Sequence, residues 1–320
     1  MPEPDISIIV PTRNREVLVD RLLGQLARID DDLTYEVIVI DEGSSDGTPE
    51  LLARYARDHG FRVIRHDDPV GLPAARNVGA SAARGRWLAW IDDDDLTSTD
   101  RLRRQHEDLV ATGSRWSCAA RVDIDDDLTV IGHRRCPPPP VLPGLLRVNT
   151  LPTAAQGLLV ERALAEEVGG YDESLRAAED WEYCIRLAAV AEPRFLDEPL
   201  VGYRTGVASM STDTSRMDTA IQAVVDKHAD LYARHGVIPD WAVINHTLLA
   251  ADLLGGRRQG LRRAWRVLRA APSPKAALRT AAIVAAPGWF ERRAAETRRR
   301  QVPADWVAQA RAWLASVPQR

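Results

Sequence analysis

The 320-residue sequence predicts an α/β fold: a mostly parallel sheet covered by helices, followed by an all-helical appendage. Three observations carry this reading. Short β-branched runs alternate with helically spaced apolar residues through the first hundred positions. Three of those runs end in polar clusters. Strand signals disappear from about Met217 onward. The length corresponds to about two domains, and we draw the boundary near 215, giving units 1–215 and 216–320. With 45% hydrophobic and 28% charged residues, disordered and fibrous classes are excluded.

Ile6 to Val10 forms the first strand, stopped by Pro11, and Val17 to Ala27 has helical spacing. Tyr35 to Ile40 is a second strand ending at Asp41. Asp46 or Thr48 then caps a helix whose first turn takes Pro49. Phe61 to Arg65 is a third strand, Ala74 to Ala83 a helix broken by Gly85, and Arg86 to Ile91 a fourth strand running into Asp92-Asp93-Asp94-Asp95. A βαβαβαβ order implies parallel pairing, with ligands bound beyond the carboxyl ends of the strands. A helix is expected over 98–110, strands over 116–122, 128–132, 157–160 and 199–203, and helices over 162–168 and 179–190. Beyond the boundary the helical candidates are 217–234, 240–254, 259–270, 274–285 and 303–316, punctuated by glycine and proline.

The net charge of −4 hides a strong asymmetry. Residues 255–300 hold 13 basic side chains against only Glu291 and Glu296, whereas 1–254 hold 27 basic and 43 acidic ones. Cys118, Cys136 and Cys184 have no metal-ligand spacing, and their odd count argues against a disulfide framework, so a reducing cytoplasmic compartment is expected. Cys118 and Cys184 read as core residues. The N-terminal segment lacks the charge and apolar run of a signal peptide, and no stretch reaches the length of a membrane span.

Four adjacent carboxylates at a strand end repel one another unless a cation compensates, and hard oxygen ligands suit Mg²⁺ or Mn²⁺. Asp92 and Asp94 should point together; the competing reading is an acidic turn capping the next helix. Asp41-Glu42-Gly43-Ser44 could accept a hydrogen bond from a nucleobase ring N–H, or simply form a turn and a cap. Pro11-Thr12-Arg13-Asn14 could be only a strand-to-helix turn. Arg76 could serve a diphosphate bidentately or lie on the surface.

Together these segments resemble the family 2 glycosyltransferases of the GT-A fold. The match runs through Ser7 to Arg15, Val37 to Asp46, Ala75 to Gly79, Trp90 to Asp95, Gly169-Gly170-Tyr171-Asp172-Glu173 and Glu179-Asp180-Trp181, covering about residues 5–205. The resemblance implies a Rossmann-like mixed sheet flanked by helices. It implies that Pro11, Thr12, Arg13, Asp41 and Glu42 line a nucleotide pocket, with Asp93, Arg76 and Asn77 on the donor side. Asp92 and Asp94 would form the metal motif, with Asp94 touching the cation most directly, and Asp180 would be the general base. Glu42 departs from the second aspartate usual in relatives, and Arg13 replaces a frequently aromatic residue. Arg204, before Ser209-Met210-Ser211, resembles a late segment that closes over the diphosphate. Gln156, Gly157 and Glu179 are acceptor-side candidates, and Trp181 and His106 could meet the acceptor or lie in the core or rim.

The activity implied by the resemblance is an inverting, single-sugar transfer from a nucleoside-diphosphate sugar, with Mn²⁺ or Mg²⁺, to a saccharide or lipid-linked acceptor, in glycoconjugate synthesis or on a small natural product. A sugar-1-phosphate nucleotidyltransferase would carry a glycine-rich loop after the first strand, where this chain has Pro11-Thr12-Arg13-Asn14. A non-catalytic nucleotide-sugar- or glycan-binding relative would be expected to lack Asp94 or Asp180. In a processive synthase one expects membrane helices and a Gln-x-x-Arg-Trp motif, whose nearest counterpart, Gln259 to Trp265, has the wrong spacing. Two readings remain for the basic helical tail: peripheral contact with anionic lipid at the inner face of a membrane, or docking on the acidic body or a second subunit. No nucleic-acid-binding module accompanies it.

Overall fold

The computed structural model describes residues 3–29, 32–153, 155–205, 214–254, 259–269 and 274–317. The first hundred residues form β1 (Ile6–Thr12), α1 (Glu16–Leu26), β2 (Tyr35–Glu42), α2 (Thr48–His59), β3 (Arg62–His66), α3 (Leu72–Ala82) and β4 (Trp87–Trp90). β1 pairs in parallel with both β2 and β4, and β3 pairs in parallel with β2. Pro11 does not end β1; it lies in register with Ile40. In a parallel ladder alternate residues turn both backbone groups to the same neighbour. Ile9 faces β4, since its carbonyl accepts the Ile91 N–H at 3.0 Å. Pro11 therefore presents its missing donor on the side where the β4 ladder, ending at Ile9–Trp90, has run out. α2 begins with proline in its first turn and stops at Gly60, whose φ of 70° suits glycine.

The second half of the sheet is β5 (Leu96–Thr97), α4 (Arg101–Thr112), β6 (Trp116–Ile124), β7 (Val130–Arg134), α5 (Leu142–Arg147), β8 (Leu158–Glu161), α6 (Arg162–Glu167), α7 (Glu179–Val190) and β9 (Arg194–Arg204). The strand order is β3-β2-β1-β4-β8-β6-β9-β5, with β7 on β6. β8 runs antiparallel to both β4 and β6, which makes the sheet mixed. Only residues 91–95 connect β4 to β5, although three strands lie between them in the order. A flat sheet would separate them by about 19 Å at ~4.8 Å per strand spacing. The connection is shortened by a turn, Asp95 N–H donating to the Asp92 carbonyl at 3.1 Å, so the sheet must curl to close this distance. That curl brings the carboxyl end of β9 to the four aspartates.

β9 starts five residues earlier than the sequence suggests. Its register with β6 jumps from Leu196–Ala119 to Pro199–Ala120, and this irregularity accommodates the proline. The short β5 and α5 were not legible as elements. One apolar layer, including Val19, Leu22, Leu52 and Leu102, packs under α1, α2 and α4. The other face carries Trp90, Trp116, Leu145, Ile185 and Cys184.

The C-terminal region comprises α8 (Thr214–Lys227), α9 (Ala229–His235), α10 (Trp241–Leu254), α11 (Gln259–Arg269), α12 (Pro274–Ala285), α13 (Pro287–Arg300) and α14 (Ala304–Leu314). The single helix expected over 217–234 is divided at His228, whose buried ring nitrogen meets Glu182 at 3.0 Å. α13 is a helix beyond those expected: Pro287 opens it as an N-terminal proline rather than breaking the chain there. α8 and α9 contribute Ala220, Ile221, Val224 and Tyr232 to the main core. α14 returns to the sheet, packing Trp306, Ala310 and Leu314 on Ala120, Val122 and Ile124. Between these, α10–α12 share a small core of Leu249, Ala264, Val267 and Ile283. Among the described residues no helix is long and apolar enough to cross a membrane.

Candidate active site

Three strand ends converge, and hydrogen bonds join them. After β1, Thr12 donates to Asp93 at 2.7 Å, and the Arg15 guanidinium binds Asp93 at 2.9 Å and Asp94 at 2.6 Å. Asn14, at φ 51°, donates its backbone N–H to Ser44 at 2.9 Å and accepts from the Ser45 N–H at 2.7 Å. Asp41 is buried near the end of β2, where it accepts the Ser44 N–H and pairs with Arg65. Gly43 has φ +72° and a Cβ there would lie 2.6 Å from the Asp67 carbonyl oxygen, so this turn admits only glycine. Pro11 and Thr12 are buried at the base of the edge and Arg13 is exposed above it.

The aspartate run lies in a turn rather than the strand-like stretch expected, and burial alternates along it. Asp92 and Asp94 keep partly exposed carboxylates, while Asp93 and Asp95 are buried. Burial pushes the Asp93 carboxyl up to about 7 against the opposing pull of Arg15 and Thr12. The Asp95 carboxyl is also raised, by burial and by Asp94 and Asp92, and it accepts the Arg204 backbone N–H at 3.0 Å.

Arg76, on α3, is the hub of the site. Its side chain is 2% exposed and donates to Asp92 at 2.8 Å and to Glu179 at 2.9 Å, 103 residues further along the chain. It also lies 5.1 Å over the Tyr171 ring. Paired in this way its pKa is raised despite complete burial. Glu179 and Asp180 occupy the first turn of α7, where the helix dipole favours carboxylates. Burial, reinforced by Glu179, pushes Asp180 up to about 7, with Arg76 and the Trp181 N–H opposing. Gln156 closes the circle by donating to the other Asp92 oxygen at 2.7 Å.

Several expected contact residues are turned inward. Trp181 lies in the core with its indole N–H donated to the Leu145 carbonyl at 2.9 Å, leaving no face for an acceptor. His106 sits against the edge of Trp87, away from this cluster. Asn77 uses both ends of its amide on Tyr171 and a third contact on Glu173, clamping the loop before α7. Glu42 is buried and accepts the N–H groups of Val70 and Gly71 at 2.9 and 2.8 Å, so it holds the entrance to α3. Gly157 is buried, and a Cβ there would meet Thr153 Oγ1 at 2.0 Å, so it is needed for packing. Arg204 is buried beneath the aspartate turn, donating to the Asp94 carbonyl at 3.2 Å. Ser209-Met210-Ser211 lies outside the described residues. Arg15 and Arg65 are the residues to which the sequence reading gives no role; the signal was available, since an edge this acidic requires internal cations.

The edge fits a divalent cation of the kind that takes one or two carboxylates and completes its shell with phosphate oxygens. Asp92 and Asp94 offer two hard, partly exposed carboxylates. Among the described residues no group of three or more His, Cys, Asp or Glu side chains could hold a metal by itself. A cavity of about 570 Å³ lies between the loop entering α7 (Ser174, Leu175, Arg176) and α8 (Arg216, Thr219, Ala220, Ala223).

This architecture is found in solved structures. A chain of TarS from S. aureus superposes with a TM-score of 0.57 at 18% identity, covering 92% of this chain and 55% of that one, so the present chain spans just over half of it. The mannosyltransferase PcManGT of Pyrobaculum calidifontis, in complex with GDP-Man and Mn²⁺, gives 0.56 at 19% identity over 98% of this chain and 87% of that one. The fold is that of the GT-A glycosyltransferases. The sequence model for Glycosyl transferase family 2 matches residues 7–165. The succinoglycan biosynthesis protein ExoO of Rhizobium meliloti is 31% identical over 242 residues, 69% of this chain and 67% of its own length. An uncharacterized glycosyltransferase of Bacillus subtilis, EpsJ, is 29% identical over 264 residues, 73% of this chain and 71% of its own. The chain belongs to glycosyl transferase family 2 and is a glycosyltransferase.

Proposed function

We propose that this enzyme moves a single sugar from a nucleoside-diphosphate sugar to an acceptor hydroxyl with inversion, in the synthesis of a cell-surface polysaccharide or related glycoconjugate. One observation carries the reading: buried Arg76 bridges Asp92 of the aspartate edge to Glu179, which adjoins Asp180. Donor edge and base are thereby coupled across a single side chain. The name of ExoO supports the polysaccharide context, and the PcManGT complex supports a nucleotide sugar with a divalent cation.

In this reading residues 1–215 are the catalytic unit and 216–320 an accessory helical region. Pro11, Thr12, Arg13 and Asp41 border the nucleotide, while Glu42, Asn77 and Arg204 act by holding the loops around it. Asp94 and Asp92 would hold Mn²⁺ or Mg²⁺, which when bound supplies neutralisation of the charge that grows on the diphosphate. Arg15 and Arg76 keep the two carboxylates apart in charge and position. Asp180, with its raised pKa, receives the acceptor proton as the acceptor oxygen bonds to the anomeric carbon. The bond from that carbon to the diphosphate breaks in the same displacement, its electron pair leaving with the phosphate. One base and no covalent nucleophile imply inversion. The cavity beside residues 174–176 suits the acceptor side.

A thermal-shift and hydrolysis screen over nucleotide sugars, with Mn²⁺ and Mg²⁺, tests this. Stabilisation by one nucleoside diphosphate in the presence of metal is expected. If no nucleotide sugar stabilises or turns over, the donor assignment fails.

A further inference from the structure

We propose that helices α11–α13 form a docking surface for an anionic lipid bilayer. This surface belongs to the accessory helices alone and is independent of the donor, the acceptor and the catalytic roles above.

Little of this region faces inward. α11 turns Ala264, Val267 and Arg263 toward its neighbours. Arg263 is satisfied internally, binding Asp252 at 2.7 Å and both oxygens of Asp218 at 2.7 Å. The opposite arc of the same helix carries Leu261, 60% exposed, and Trp265, 58% exposed, one turn apart. Beside them run the exposed Arg262 and Arg266, also one turn apart, and then Arg269, whose guanidinium lies 5.1 Å over the Trp265 ring. The solvent arc is therefore an apolar stripe bordered by a basic one. α13 repeats the arrangement with Trp289, 58% exposed, followed three and four residues later by exposed Arg292 and Arg293. α12 adds Leu278 at 72% exposure.

Exposed tryptophan and leucine next to arginine is the composition suited to the headgroup layer, where the ring is buried at the interface and the cation meets lipid phosphate. Charge selects this occupant. Among the described residues the exposed ionisable side chains of α11–α13 are eight arginines and Glu296, so a symmetric pairing of this face with a second copy would set arginine against arginine. An anionic bilayer instead attracts each of them.

The test uses the full chain in co-sedimentation with vesicles of phosphatidylcholine alone and of equal parts phosphatidylcholine and phosphatidylglycerol. Binding is expected only to the mixed vesicles. It should fall when ionic strength rises from about 0.1 M to about 1 M, where the screening length shrinks from roughly 10 Å to 3 Å. Replacing Arg262, Arg266 and Arg269 together by Gln should weaken partitioning by about 100-fold, at the usual weight of a basic residue near an anionic surface. Trp265→Ser with Trp289→Ser should also weaken it, with thermal unfolding unchanged because both side chains face water. The proposal is overturned by no binding to mixed vesicles at low salt, or by equal binding to both vesicle types. It also fails if the chain binds duplex DNA or forms a dimer through these residues and ignores vesicles.

Discussion

Replacing Arg76 by Met removes a side chain that joins the aspartate edge to α7, at little change in volume. The guanidinium is 2% exposed and has two carboxylate partners, Asp92 and Glu179, at 2.8 and 2.9 Å. Asp92 keeps its Gln156 contact and partial exposure. Glu179, only 8% exposed, loses its guanidinium partner. Breaking a buried pair from one side costs about 3–5 kcal/mol, because the remaining charge stays desolvated. At the few degrees per kcal/mol typical of domains this large, the melting temperature should fall by roughly 6–15 °C. A double-mutant cycle with Glu179→Gln should recover part of the loss, since it removes the stranded charge, giving a coupling of about 1 kcal/mol or more. Arg76 also opposes the upward shift of Asp180, so the pH at which kcat reaches half its plateau should move to higher pH in Arg76→Met. A change in stability within about 0.5 kcal/mol, the range of a surface substitution, together with an unmoved pH profile, would refute the bridging role.

Five further outcomes are expected. Because Asp180 must be ionised to accept a proton and its carboxyl is pushed up to about 7, kcat should rise with pH through neutrality and then level off; Asp180→Asn should abolish transfer, measured by product formation, while donor binding by calorimetry persists. The same raised pKa favours the protonated folded state, so Asp180 adds stability below its unfolded value near 4 that is lost as pH rises through about 7, and Asp180→Asn should match or exceed the parent in melting temperature at pH 8. Glu36 is the opposite case: although burial works to raise it, hydrogen bonds from Ser7, the Arg84 N–H and Arg62 hold it at about 2, so its contribution, on the order of 3 kcal/mol, is present above its unfolded value and lost as pH falls through about 2; Glu36→Gln should flatten the acid limb of a denaturation series. Glu42→Ala should cost about 2–4 kcal/mol through two lost charge-assisted hydrogen bonds and speed amide exchange at Val70 and Gly71, whereas Glu42→Gln, which still offers an acceptor, should cost less. Chelation should lower nucleotide-sugar affinity in a thermal-shift titration, Mn²⁺ or Mg²⁺ should restore it, and Asp94→Asn should blunt that restoration.

Much of the donor edge could be read from local pattern. The clusters after β1, β2 and β4 were visible because each follows a short apolar strand, and parallel βαβ units must bring such ends to one side. Partly exposed Asp92 and Asp94 with buried Asp93 and Asp95 match an alternation over four residues, although the chain there forms a turn. Elements escaped notice where the local signal was short or double-edged: β5 has two residues, Pro287 opens a helix rather than closing one, and Pro199 sits inside a strand at a register shift.

The sequence by itself determined which chemical groups gather at the strand ends and that the last third is helical and strongly basic in part, because these depend on residue type and on spacing within a few positions. Only the tertiary structure decided what each group faces. Asn77, Glu42, Arg204 and Trp181 carry the residue types of ligand contacts, yet their partners are loop backbones and core. Those partners lie 28 to 110 residues away along the chain. The short connection from β4 to β5 forces the sheet to curl, and that curl sets Arg204 against the aspartate turn. Arg76 meets Glu179 across 103 residues because α3 and α7 border the same core on one face of the sheet. A periodicity specifies the face on which a side chain lies; a distant partner is specified only when the whole sheet has closed.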